Sequence, residues 1–340
     1  MISLVRYLRE ASVTARQASA GRRWLTVGLP AAVLVVLAAA GAMGAVRYVS
    51  TFWIYRGFPA PSVPRTVKVA GPRGVKRVPV VLPAVQTIRV SSAALGGYSD
   101  QVYVVLPPGY ARHPGQRYPV LYLLHGFPGQ PQQFLNIGQV GTTEATLIAG
   151  GRMNPMIVVM PTGSRSFLSN EEWANGVRRG NDWETFVAYD LVKAIDARYR
   201  TIPGAPARGI GGLSEGGYGA LNIGLHHPGD FGLLESWSGY MKADRKPAVF
   251  GHSARVRAYN GPAVWAVSVA PRLRADHSYL WFYIGSGDPL AAQNRAFAAE
   301  LTGLGVAHRF FEVPGKHNWR LWRSQMPRAL ITASEHLSHG

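Results

Sequence analysis

The 340-residue chain contains no cysteine. That absence excludes a disulfide framework, a thiolate nucleophile and a cysteine-ligated zinc site, and it neither requires nor forbids export. Acidic side chains are scarce, with 18 Asp and Glu against 36 Lys and Arg, for a formal net charge of +18. The surplus is uneven. Residues 1–23 carry five Arg and one Glu, residues 47–84 carry seven Lys or Arg and no acid, and the remaining +7 is spread over 85–340. The latter stretch has no basic cluster with interleaved aromatics, so nucleic acid is not an expected partner. The two basic blocks suit attraction to anionic lipid or envelope polymers, or else a solvated, self-repelling linker.

Between the basic blocks, residues 24–46 form 23 positions without a charge. As a helix they would span roughly 34 Å, enough for a hydrocarbon core. Arg22 and Arg23 close the N-terminal side, which the positive-inside rule places in the cytoplasm; Tyr48, Phe52, Trp53 and Tyr55 follow as an interfacial belt. The expectation is a retained single-pass transmembrane anchor over 24–46 behind a basic cytoplasmic segment, 1–23. The alternative is a secreted form cleaved near Ala40-Gly41-Ala42, although the apolar run exceeds the usual length of a signal core. Either reading exports the rest of the chain. Residues 47–84, with Pro59, Pro61, Pro64, Pro72, Pro79 and Pro83, read as a basic, semi-extended tether with room for a strand or two near 78–82.

From 85 to 340 the pattern alternates strands with helices. Runs 86–90 and 101–106 read as a hairpin around Gly96-Gly97; 120–124, 156–160, 207–211, 233–237, 280–284 and 306–313 read as further strands. Helices are expected with Phe186, Leu191, Ile195 and Tyr199 on one face, over 218–226, over 291–304 and over 321–337. Such alternation predicts an α/β domain with a mostly parallel sheet covered by helices on both faces. Segments 162–182 and 240–279 read as irregular, Arg- or aromatic-containing loops that shape a substrate pocket.

Gly212-Leu213-Ser214-Glu215-Gly216 lies between one of those strands and a helix. A Gly-x-Ser-x-Gly turn in that setting is the nucleophile-elbow pattern of α/β-hydrolases. A plain glycine-rich turn with a solvent-facing serine shares the motif, so the case rests on its partners. A serine hydroxyl needs a base, and the base needs a third group to fix its tautomer. Asp288 follows the strand 280–284 through Gly285-Ser286-Gly287, and His317 follows 306–313 through Pro314-Gly315-Lys316, in the chain order that the fold uses. Asp288 also fits a helix cap before Pro289. His226 and His227, at a helix end, read as partners of its dipole. The oxyanion donors are assigned to the N–H groups of Glu215, after the serine, and Phe127, in the loop 123–129, which His125 braces. No metal or organic cofactor is implied.

Leu106-Pro107-Pro108-Gly109-Tyr110, Tyr122-Leu123-Leu124-His125-Gly126, Trp183-Glu184-Thr185-Phe186, the elbow, and His317-Asn318-Trp319 with Trp322 together resemble the putative esterase family, which includes esterase D-like enzymes and the antigen 85 mycolyltransferases. The resemblance implies an α/β-hydrolase fold with Ser214, Asp288 and His317 as its triad. Trp183-Glu184-Thr185-Phe186 and the His-x-Trp-x-x-Trp pattern are similar to the mycolyltransferase branch. Asp288, where that branch has Glu, and His125-Gly126, where it has Asp-Gly, resemble ordinary esterases. The expected function is a membrane-anchored, envelope-facing serine esterase acting on lipid or envelope esters through an acyl-enzyme on Ser214. The alternatives are an acyltransferase passing the acyl group to a sugar or lipid hydroxyl, and a non-catalytic scaffold.

Overall fold

The computed structural model describes residues 35–41, 64–71, 74–166, 169–243 and 246–339. The chain divides into two units, 1–57 and 58–340. In the first, residues 35–41 are helical; the rest of the expected 24–46 anchor and all of 1–23 lie outside the described residues. Among the described residues no helix is long and apolar enough to cross a membrane.

The second unit starts with a feature that the tether reading understates. Strand β1 (Thr66–Gly71) pairs antiparallel with β2 (Gly74–Pro79) as a separate two-stranded sheet. Val67 and Val69 alternate with Thr66 and Lys68, which favours extended pairing over a free coil. The main sheet has eight strands: β3 (Ala84–Ser91), β4 (Ser99–Leu106), β5 (Val120–Leu124), β6 (Ile157–Pro161), β7 (Arg208–Leu213), β8 (Leu233–Trp237), β9 (Tyr279–Gly285) and β10 (His308–Val313). Their spatial order is β10-β9-β8-β7-β5-β6-β4-β3. The six strands from β6 to β10 run parallel, and the β3–β4 hairpin adds antiparallel against β6. This is the arrangement of the α/β-hydrolase fold.

The strand sequences explain the burial. Val120, Tyr122 and Leu124 join one core cluster, while Leu121 and Leu123 between them are equally buried on the opposite face. A run apolar at every position is what a sheet covered on both sides requires. Helices α1 (Val140–Ala149), α2 (Val192–Arg198), α3 (Glu215–His226), α4 (Pro262–Ala275), α5 (Ala291–Gly303) and α6 (Trp319–His336) supply most of the cover. A π-helical turn, Phe186–Leu191, leads into α2. It accounts for the spacing of the buried face, five residues from Phe186 to Leu191 and then four to Ile195. The 240–279 stretch, expected to be irregular, instead contains three helices, Pro247–Phe250, Ala254–Tyr259 and α4. Helix α4 escapes a periodicity reading because Val264 and Val267 face solvent and Pro271 lies inside it.

Glu235 sits in the middle of β8 with no solvent exposure. Its Oε2 accepts from Trp237 Nε1 at 2.9 Å, and Oε1 has no partner. Burial pushes its carboxyl up from 4.5 to about 8. Between those pH values the unfolded chain has released the proton and the folded chain has not, so stability falls as pH rises. Glu235→Gln removes the titration, and we expect it to raise unfolding stability at pH 8 by up to about 4 kcal/mol relative to its effect at pH 4. Thermal unfolding at the two pH values measures this; an equal effect at both contradicts it.

Candidate active site

The site lies where β5, β7, β8, β9 and β10 end. Leu124 of β5 pairs with Gly212 of β7, so the loops after both strands leave the sheet side by side. Ser214 caps α3 at φ 55° and ψ −118°, a backbone shape that costs an L-residue about 1–3 kcal/mol. Hydrogen bonds hold it there: Ser214 N–H donates to Trp237 O at 2.9 Å, and Tyr218 N–H donates to Ser214 O at 3.0 Å. The elbow also needs close approach. A Cβ at Gly216 would fall 1.9 Å from Leu124 O, and one at Gly126 would fall 2.9 Å from Ser214 Cβ. Because the obstacle at Gly216 is backbone, Gly216→Ala is expected to destabilise the fold by about 3 kcal/mol. A denaturant midpoint equal to that of the parent chain would show that the turn has slack.

Three of the residues singled out in the sequence meet here. His317 Nε2 is 2.8 Å from Ser214 Oγ, and His317 Nδ1 is 2.7 Å from Asp288 Oδ2. The Asp288 side chain is fully buried, whereas that of His317 keeps 18% of its surface. Asp288 Oδ1 accepts from Leu290 N–H at 3.0 Å, so the turn-capping role and the histidine contact use different oxygens of one carboxylate. Trp322, buried in α6, packs edge-on against the His317 ring with centroids 5.0 Å apart, which limits the ring's tilt. This line of contacts can carry a proton from the serine hydroxyl to the imidazole while the carboxylate fixes the tautomer.

Phe127 follows β5 through His125-Gly126, and Glu215 is the first residue of α3. Both therefore lie beside Ser214, and the Glu215 N–H belongs to the positive end of a 12-residue helix. The Glu215 side chain is buried, and burial pushes its carboxyl well above the usual range. His125 is buried between Gly126 O at 3.0 Å and Thr162 O at 2.6 Å, with its pKa lowered by burial. It ties the Phe127 loop to the end of β6, the bracing position that its place in the sequence suggests. Trp173 Nε1 donates to His125 O at 3.0 Å from the other side.

Several neighbours were not legible beforehand. Glu172 is fully buried and bonds both Lys246 Nζ and Tyr240 Oη, tying the 162–182 segment to the 240–250 segment. The Lys246 ammonium lies 5.9 Å from the Phe127 ring centroid, and burial lowers its pKa to about 8. His226 and His227 do end α3, but their side chains bond one carboxylate: His226 Nδ1 is 2.9 Å from Glu184 Oε2 and His227 Nε2 is 3.0 Å from Glu184 Oε1. The dipole reading misses that partner. Burial alone would raise the Glu184 carboxyl, yet the two histidine bonds outweigh it and hold it below its usual range. The only advance signal was Glu184 within the Trp183–Phe186 motif. Among the described residues no group of three or more His, Asp or Glu could hold a metal ion.

Comparison with known proteins places this site in context. The family described as Esterase, putative esterase, matches residues 92–333. Esterase Rv1288 of Mycobacterium tuberculosis is 31% identical over 68% of this chain and 55% of its own length. The diacylglycerol acyltransferase/mycolyltransferase Ag85C of Mycobacterium leprae is 26% identical over 50% of this chain and 61% of its own. The alignment thus spans about half the length of the Rv1288 relative. Among solved structures, a ferulic acid esterase superposes with a TM-score of 0.67 at 25% identity, covering 75% of this chain and 99% of that one. MPT51 (FbpC1) of Mycobacterium tuberculosis, at 20% identity and a TM-score of 0.58 over 74% of this chain and 99% of that one, shares the fold.

Proposed function

The chain belongs to the putative esterase family, and from that premise we propose that it is a serine esterase hydrolysing carboxylic esters through an acyl-enzyme on Ser214. The observation that carries the reading is the continuous hydrogen-bonded line from Ser214 Oγ through His317 to Asp288. In this mechanism Ser214 Oγ attacks the ester carbonyl while His317 Nε2 takes its proton. Asp288 orients the imidazole and stabilises its charged form. The N–H groups of Phe127 and Glu215 hold the tetrahedral oxyanion, each worth about 3–4 kcal/mol in the transition state. His317 then protonates the departing alcohol, the acyl group stays on Ser214, and water activated by the same imidazole releases the acid.

The uncharged run 24–46 behind Arg22 and Arg23 supports the further reading that the domain is tethered on the outer side of a membrane, near lipid or envelope esters. A second outcome for the same acyl-enzyme is transfer to a sugar or lipid hydroxyl, favoured by the His317-x-Trp319-x-x-Trp322 pattern and the Ag85C relative. The test is a screen of the full-length protein over esters of increasing acyl length, with and without a sugar acceptor. Free acid as the main product in both conditions supports hydrolysis. Acylated sugar as the main product supports transfer. No turnover of any ester favours the scaffold reading.

A further inference from the structure

A cavity of about 700 Å³ is lined, among the described residues, from the 162–182 and 240–279 segments. Its wall connects to the proposed oxyanion loop through Lys246, whose ammonium lies 5.9 Å from the Phe127 ring centroid. Its charge is one-sided. Among the described residues, Arg165, Arg178, Arg179 and Lys246 line it against a single acid, Glu171. Arg165 is spent on the carbonyl oxygens of Leu95 and Gly180, which leave its charge uncompensated. Lys246 is paired with the buried Glu172. Arg178 and Arg179 are solvent-exposed, and among the described residues neither has an ion-pair partner.

We propose that this cavity is an anion subsite, in which Arg178 and Arg179 receive a phosphate group carried by the ester substrate. The proposal rests on the serine-esterase reading and specifies its substrate class. Two exposed arginines, consecutive in sequence, on the wall of a cationic cavity suit a tetrahedral oxyanion, because each planar fork can give two parallel N–H bonds. An acyl chain is the poorer occupant, since it would desolvate the cations without a counter-charge. The phosphate could belong to a lipid headgroup or to a soluble phosphate ester.

The test compares kcat/KM of the full-length protein on butyrylglycerol with and without a 3-phosphate, and on micellar oleoylglycerol with and without a 3-phosphate. We expect the phosphorylated partner to be favoured about tenfold in at least one pair, as two charge-assisted contacts allow, and the preference to shrink as salt is raised. Preference in the butyryl pair indicates a soluble phosphate ester; preference in the oleoyl pair alone indicates a lipid. Arg178→Ala/Arg179→Ala should bring the ratio close to one, and Arg178→Lys/Arg179→Lys should keep part of it. Calorimetric titration with glycerol 3-phosphate should show binding that the alanine pair loses. Turnover without preference in either pair, or a preference unaltered in the alanine pair, overturns the proposal. If no ester is turned over, the esterase reading fails, and the calorimetry still decides the subsite.

Discussion

Replacing Ser214 by Ala is expected to lower kcat for ester hydrolysis by about a millionfold, since the nucleophile, base and orienting acid of a serine hydrolase act as one unit. The fold should survive. Among the described residues Ser214 Oγ bonds His317 alone, and its backbone bonds to Trp237 and Tyr218 do not involve the side chain. Alanine bears the same φ strain as serine, so the unfolding midpoint should shift by no more than about 1 kcal/mol. Ser214→Ala/His317→Ala should be no slower than either single variant, because once the unit is broken no further step depends on it. A double variant slower by a further factor of a thousand would show that His317 also works outside the unit.

Asp288→Asn has the second-largest expected effect, a loss of about 10⁴ in kcat. The surroundings decide how the new amide will sit. Leu290 N–H donates to Oδ1 and needs an acceptor there, so the amide oxygen stays on that side. The NH2 group then faces His317 Nδ1, where the carboxylate oxygen now stands at 2.7 Å. A donor in that place forces the proton onto Nε2, and the imidazole can no longer accept from Ser214. The same variant should remain folded and keep its hydrogen bond to Leu290. Retention of more than a tenth of the parent kcat, with an unaltered fold, would contradict the role assigned to Asp288.

The two variants address residues that the sequence brings into view for a physical reason. In a parallel sheet all strands of one sense end at one edge, so side chains just after nearby strands lie close together, as after β7, β9 and β10. Asp288 and His317 follow β9 and β10 through glycine-containing turns, Ser214 stands in one directly after β7, and chain order supplied the pairing. Strand β5 was readable to the residue, because a fully buried strand is a bare apolar run bounded by turns. Helix α4 was not, because its solvent face carries valines and the periodic contrast is weak. The β1–β2 hairpin showed only as room for a strand or two near 78–82, because the surrounding prolines suggest a coil more strongly than Val67 and Val69 suggest a strand.

The links that escaped altogether are long-range pairs of charged groups. Glu184 lies 42 residues from His226, and Glu172 lies 74 residues from Lys246. No local pattern announces such pairs; they exist only once α3 and the loops around it have packed. The same holds for the basic cavity, whose two lining segments showed their arginines and aromatics in sequence but not their shared wall. A helical pattern reports which face of one segment is apolar, and says nothing about which charged residue on another segment will stand opposite.

The most direct measurement of the central claim is peptide mapping by mass spectrometry after the full-length protein has reacted with a fluorophosphonate. The account predicts one phosphonyl adduct, on the peptide containing Ser214, and none in Ser214→Ala. An adduct on another serine, or labelling that persists in Ser214→Ala, would contradict it.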